Sequence, residues 1–212
     1  MLWIIIGIIT SYLVGSIPTA YIFGRLLKGI DIREHGSGNV GATNALRVLG
    51  KKTGITVLLL DIFKGFFTVV FIGNFVLLNT RIIPDDSLRV LLGIACICGH
   101  NWTVFLNFRG GKGIASTFGA LIGLGLTISS LKLVLGLLIL TWLLVFLILG
   151  IVSIASIITA IALPVFVFLF SPRPVLIFTS LLLCAFVIIR HKSNIKRFLK
   201  GEEKRLSWRK KP

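Results

Sequence analysis

The sequence predicts an all-α, polytopic membrane protein of about seven transmembrane helices, with Gly-rich cytoplasmic loops and short interfacial helices. Three observations predict it. Of the 212 residues, 56% are hydrophobic, and mean hydropathy is +1.00. The apolar residues gather in runs near the ~20 residues that a spanning helix needs: Leu2–Gly24, Gly54–Leu78, Leu88–Leu106, Ile114–Ile128, Leu133–Gly150, Ser153–Phe170 and Pro174–Ile189. Short polar segments rich in Gly, Lys and Arg separate them. Spans this numerous leave little chain for a soluble domain, so residues 1–212 read as one integral membrane domain with a basic tail over 190–212.

The first run has no Lys or Arg before it and exceeds a signal-peptide core, so it reads as an uncleaved span. Residues 43–50 then form a short interfacial helix, with Thr43 or Asn44 as N-cap and Gly50 closing it. Within the second run, Asp61 and Lys64 share a helix face at i, i+3. Ionisable residues at membrane depth are functional candidates by default. This pair reads instead as a mutual ion pair that fixes the span, with Lys64 reaching towards the interface. Cys96 and Cys98 in the third run lack the Cys-x-x-Cys spacing and any His cluster, so they read as packing residues. The fourth run is the shortest and is Gly-rich. After the seventh, Ile195, Phe198 and Leu199 among charges make an amphipathic continuation.

The net charge of +16 is unevenly placed. Of 23 Lys and Arg, 18 fall in the 25–52 loop, the 109–112 loop and the tail; Arg81, Arg89, Lys132 and Arg173 fall on the other side. The positive-inside rule therefore puts the N-terminus outside, and the tail and both Gly-rich loops in the cytoplasm. Basic residues beside anionic lipid account for the charge without nucleic acid as a partner.

The chemistry concentrates in those loops. Gly36-Ser37-Gly38-Asn39-Val40-Gly41-Ala42-Thr43-Asn44 has three glycines in six residues, hydroxyl and amide donors, and Arg47 one helical turn further on. Such a chain can approach a ligand closely and turn successive N–H groups onto an oxyanion, with a helix N-terminus adding to the site. A second turn, Arg109-Gly110-Gly111-Lys112-Gly113, offers a similar cradle. Ser153 and Ser156 are one turn apart where the sixth span begins, as are His191 and Asn194 beyond the seventh. All four regions fall on one membrane face. Two phosphate-like cradles there suggest phosphorylated substrates.

Other chemistries lack their residues. No Walker A loop occurs, so ATP hydrolysis has no support. In a His-x4-Asp motif the acidic position after His35, His100 and His191 would be filled by Val40, Phe105 and Lys196. No Gly-x-Ser-x-Gly elbow or Asp-rich metal motif appears, no metal or other cofactor is expected, and no histidine has an acidic partner at catalytic spacing.

The motif Gly36–Asn44, Gly99-His100 followed by Arg109–Gly113, Ser153-x-x-Ser156 and Arg190-His191-x-x-Asn194-Ile195 together resemble the bacterial acyl-phosphate:glycerol-3-phosphate acyltransferase family over essentially the whole chain. The resemblance implies acyl transfer from a fatty acyl phosphate to the 1-hydroxyl of glycerol 3-phosphate, giving lysophosphatidic acid in the first step of phospholipid synthesis. It implies a seven-helix fold in the bacterial inner membrane and a donor made by a separate soluble synthase. Lys112, Ser37 and Asn44 are then the catalytic candidates. Gly36, Gly38, Asn39, Gly41, Thr43, Arg47, Gly110, Gly111, Gly113, Ser153, Ser156, His191 and Asn194 are the binding candidates. Acyl phosphate is an activated anhydride, so positioning and charge stabilisation can supply most of the acceleration, and a donor phosphate oxygen can take the hydroxyl proton. Two rivals remain. A transporter of a phosphorylated small solute needs polar groups along a path, and here they gather at one face. A CDP-alcohol phosphotransferase needs the missing Asp-rich motif.

Overall fold

The computed structural model describes residues 1–206, all helix, turn or loop among those described. The chain divides into two compact units, Met1–Ile128 and a second beginning at Ser129.

In the first unit, the first predicted span is two helices, α1 (Leu2–Ser16) and α2 (Thr19–Lys28), broken at Ile17–Pro18. Proline lacks the N–H that would continue the ladder. Next come α3 (Ala42–Leu49) and α4 (Lys51–Phe67), then a wide turn over Thr68–Ile72 and α5 (Gly73–Asn79), which together make the second span. The widened turn has a cause. Arg89, which the sequence groups with the loop cations, is buried in α6 (Asp85–Asn101). Its guanidinium donates to the Val69 carbonyl at 2.8 Å and to Asn74 Oδ1 at 2.7 Å, and it pairs with Asp85. A π-type bulge exposes the carbonyl that such a donor requires.

The unit ends with α7 (Ile114–Thr127), whose 14 residues span only about 21 Å at 1.5 Å each. This fourth predicted span is thus shorter than a ~30 Å hydrocarbon core. Helices pack through small residues, as membrane interfaces favour. A Cβ on Gly15 would meet the Cys96 backbone, and one on Gly119 the Ile62 carbonyl. Pairs α1–α6 and α4–α7 therefore approach almost backbone to backbone.

The second unit holds α8 (Ser130–Leu149), α9 (Val152–Phe170), α10 (Pro174–Arg190) and α11 (Lys192–Leu199). Helices α8 and α9 span alone, whereas α10 reaches spanning length only with α11, across a 58° bend. Among the described residues, five segments are therefore long and apolar enough to cross a membrane, or six with the bent pair. The protein is a polytopic helical membrane protein.

Candidate active site

The Gly36–Asn44 segment follows a one-turn helix at Ile32–Glu34 and feeds α3. Asn44 is buried and holds the loop from inside. Its amide Nδ2 lies 3.2, 3.0 and 2.9 Å from the carbonyls of Ile32, His35 and Asn39. Its Oδ1 accepts from the Ser37 N–H at 2.8 Å. Asn44 is therefore not the helix cap that the sequence suggests. Neither is Thr43, for Gly41 occupies the cap position with no side-chain bond. Amide groups that tie four backbone atoms of one loop cannot also turn to the first helical N–H groups.

Gly36 and Gly38 adopt φ of 65° and 71°, the left-handed region that a Cβ disfavours. At Gly36 a Cβ would also strike Asn44 Oδ1. The Gly38 N–H donates to the His35 carbonyl at 3.0 Å. The N–H groups of Ser37 and Gly38 thus point into the loop, which corrects the expectation that they face an oxyanion. Ser37 and Arg47 are exposed, and Asn39, Gly41 and Thr43 half-buried.

Below this loop, Asp31 accepts from Arg33 at 2.7 Å, and Arg25 stands 3.7 Å away. Both arginines lie 5.4 Å from the Tyr21 ring centre. The Arg33 hydrogen bond holds the Asp31 carboxyl down at about 2, against the upward push of burial.

The second Gly-rich turn is shaped by main chain. Gly111 N–H donates to the His100 carbonyl at 2.8 Å, and Gly110 N–H to the Asn101 carbonyl at 3.2 Å. Both donors again point inward. There is no room for side chains, because a Cβ on Gly110 would overlap the His100 carbonyl and one on Gly111 the His100 ring. Gly113, at φ 79°, lies against the Asn101 amide and starts α7. Lys112 is half-buried between these glycines, and Arg109 is exposed. An ammonium at the head of a 14-residue helix puts two positive features together.

Sequence spacing missed what lies behind this turn. Asp61 and Lys64 form the expected ion pair at 2.9 Å. Asp61 Oδ1 also accepts from Thr19 Oγ1 at 2.8 Å and stands 3.7 Å from His100 Nδ1. A histidine therefore does have an acidic partner, correcting the reading from spacing. The partner lies 39 positions upstream on another helix, so no local motif could reveal it. The Gly99-His100 pair before the turn was the available signal.

In the second unit, His191 is buried at the α10–α11 bend, its Nδ1 2.8 Å from the Val187 carbonyl. A carbonyl only accepts, so Nδ1 carries the hydrogen. Ser156 donates to the Val152 carbonyl at 2.9 Å and accepts from Trp142 Nε1 at 3.3 Å. Ser153 and Asn194 share one acceptor, the buried carboxylate of Glu203, at 2.6 and 2.5 Å, and Arg197 reaches its other oxygen at 2.7 Å. Burial would raise this carboxyl; the bonds from Ser153, Asn194 and Arg197 outweigh it and leave it below its ordinary value. The Leu206 N–H closes the fold-back onto the Gly150 carbonyl at 2.8 Å. An acid in so basic a tail carries no sequence signal.

Broken and bent apolar helices joined by glycine turns define a polytopic helical membrane protein. The comparisons narrow this class. A sequence model described as glycerol-3-phosphate acyltransferase matches residues 5–201. A glycerol-3-phosphate acyltransferase of Prochlorococcus marinus (strain NATL2A) is 42% identical over 92% of this chain and 94% of its own. One of Thermoanaerobacter sp. (strain X514) is 41% identical over 97% and 96%. The crystal structure of PlsY, an integral membrane glycerol 3-phosphate acyltransferase, is similar in its glycerol 3-phosphate form, with a TM-score of 0.83, 35% identity and 96% of each chain covered. Its lysophosphatidic acid form gives 0.80 and 34%, over 96% of this chain and 95% of that one. The chain belongs to the glycerol-3-phosphate acyltransferase family.

Proposed function

We propose that this membrane protein transfers a fatty acyl group from acyl phosphate to the 1-hydroxyl of glycerol 3-phosphate, releasing lysophosphatidic acid and phosphate. The hydroxyl oxygen bonds to the acyl carbon, the acyl–phosphate bond breaks, and the hydroxyl proton passes to a phosphate oxygen of the donor. The single observation that carries this reading is the Gly110–Gly113 turn. It holds Lys112 at the head of α7 with no space for any other side chain at Gly110 or Gly111. A cation carried on so confined a backbone can stabilise charge developing on a leaving phosphate.

Ser37 and Arg47 supply further donors from the first unit. Asn44 acts by holding the loop that presents Ser37, since its own polar atoms are committed to that loop. Glycines 36, 38 and 41 let the chain turn there, and Asn39 and Thr43 line it. In the second unit His191, Asn194 and Ser153 are the binding groups, while Ser156 braces Trp142. The acyl chain lies among the apolar helices. The charge split supports a cytoplasmic position for the Gly-rich loops and the tail at a bacterial inner membrane, where a soluble synthase would deliver the donor.

The test is product analysis. Purified protein with labelled glycerol 3-phosphate should make lysophosphatidic acid from acyl phosphate without added metal, and none from acyl-CoA or acyl carrier protein. Comparable rates with a thioester overturn the donor assignment. Lys112→Ala should lower kcat by about 10²–10³-fold, the scale of a lost charge-stabilising donor. His191→Gln should chiefly raise KM for glycerol 3-phosphate, as loss of uniform binding does.

A further inference from the structure

Three buried titratable side chains of the first unit, Asp61, Lys64 and His100, form one connected group. Asp61 is 1% exposed, Lys64 6% and His100 7%. Lys64 Nζ, besides its bond to Asp61, donates to the Ile17 carbonyl at 3.2 Å, at the break between α1 and α2. Thr19, the first residue of α2, gives its hydroxyl hydrogen to Asp61. One carboxylate thus ties the broken first span to α4 and faces the end of α6.

His100 carries the connection further. Its Nδ1 edge faces the Asp61 carboxylate at 3.7 Å, the range of charge attraction and not of a hydrogen bond. Its Nε2 lies at the other edge of the ring, where a Cβ on Gly111 would fall. Its carbonyl holds the Gly111 N–H. The same residue therefore fixes the turn by main chain and fills the space beneath it by side chain. Rotation of the ring would open that space or push on the Gly110–Gly111 backbone, and Lys112 is the next residue.

We propose that Asp61 is a positioning residue for the reaction: it orients the His100 ring, and His100 sets the shape of the Gly110–Gly111 turn that presents Lys112. The proposal rests on the reading that this turn holds a phosphate group. Buried ion pairs are weak evidence for stability alone, and this one sits where it links three helices to a ligand loop. The chemistry makes Asp61 a neighbour of the site that never touches substrate.

Steady-state kinetics for both substrates, thermal unfolding in detergent, and equilibrium binding of labelled glycerol 3-phosphate and of inorganic phosphate test it. Wild type run alongside tests the donor reading by itself; if it uses another donor, that donor serves for the variants. Asp61→Asn should raise KM for at least one phosphorylated substrate about tenfold, with kcat within about threefold of wild type and unfolding little changed. His100→Asn keeps a nitrogen towards Asp61 and should be milder than His100→Gln, which keeps one only towards Gly111. Because the two residues act through each other, Asp61→Asn combined with His100→Gln should be no worse than the more impaired single variant. If Asp61→Asn fails to fold with Lys64 left unpaired, Asp61→Asn/Lys64→Met removes both charges and should show the same KM rise. Additive losses, or lower unfolding temperatures with both KM values unchanged, overturn the proposal. So does a thousandfold fall in kcat at unchanged KM in His100→Gln, which would make His100 a general base.

Discussion

The two Gly-rich segments of the first unit look alike in sequence and are built in opposite ways. The 36–44 loop is held by a side chain: Asn44 ties four backbone atoms from within, and the outer residues stay exposed. The 109–113 turn is held by main chain, its N–H groups on the carbonyls of the last two residues of α6. Its glycines are dictated by contact with His100, not by dihedral angle, except at Gly113. In the first loop Gly38 is dictated chiefly by positive φ, and Gly36 by positive φ together with the nearness of Asn44 Oδ1. Glycine thus answers two different demands, conformational freedom in one place and absence of volume in the other. A substitution that one demand tolerates, the other need not.

The largest expected effect tests volume. Gly111→Ala should reduce activity by about 10²-fold or more, since a turn displaced by about 1 Å misplaces Lys112. Activity and insertion measured together check this, and an active Gly111→Ala variant would mean that the turn yields freely. Asn44→Ala comes next. It takes the side-chain partner from the Asn39 carbonyl and the Ser37 N–H and one of two donors from the Ile32 and His35 carbonyls, at about 1–3 kcal/mol for each buried group left unsatisfied. Faster proteolysis within 32–44 should accompany the lost activity. Asn44→Asp should be nearly as harmful, because a carboxylate offers no hydrogen to the carbonyls of Ile32, His35 and Asn39.

Gly38→Ala should be milder, costing about 1–2 kcal/mol for the left-handed conformation. Its Cβ would meet only the Arg33 carbonyl, at 3.0 Å. A thermal shift larger than that of Gly111→Ala would reverse the ranking of the two demands. The smallest effect concerns Asp31. Its folded pKa of about 2 lies below the unfolded value near 3.9. The ionised carboxylate therefore stabilises its loop above about pH 4, and that contribution is lost as pH falls towards 2. Amide exchange at Arg33, whose N–H donates to Asp31 at 3.0 Å, should speed up over that range and become insensitive to it in Asp31→Asn.

The sequence by itself determined the all-helical membrane class, because apolar runs near 20 residues have few other stable forms in lipid. It also determined the Asp61–Lys64 pair, since residues i and i+3 of a helix must meet. It placed Gly50 at the end of the short helix before the second span. Local pattern marked the fourth run as the shortest, but it could not separate a continuous span from one broken at Pro18. Tertiary structure alone decided the facing of the N–H groups, which turn inward because carbonyls and an amide oxygen wait there. It alone brought Asp61 beneath His100, and folded Glu203 back onto Ser153 and Asn194. The physical reason is range. Helix periodicity and turn chemistry are written in neighbours a few positions apart, whereas a buried polar group must find whatever partner the packing of distant helices supplies.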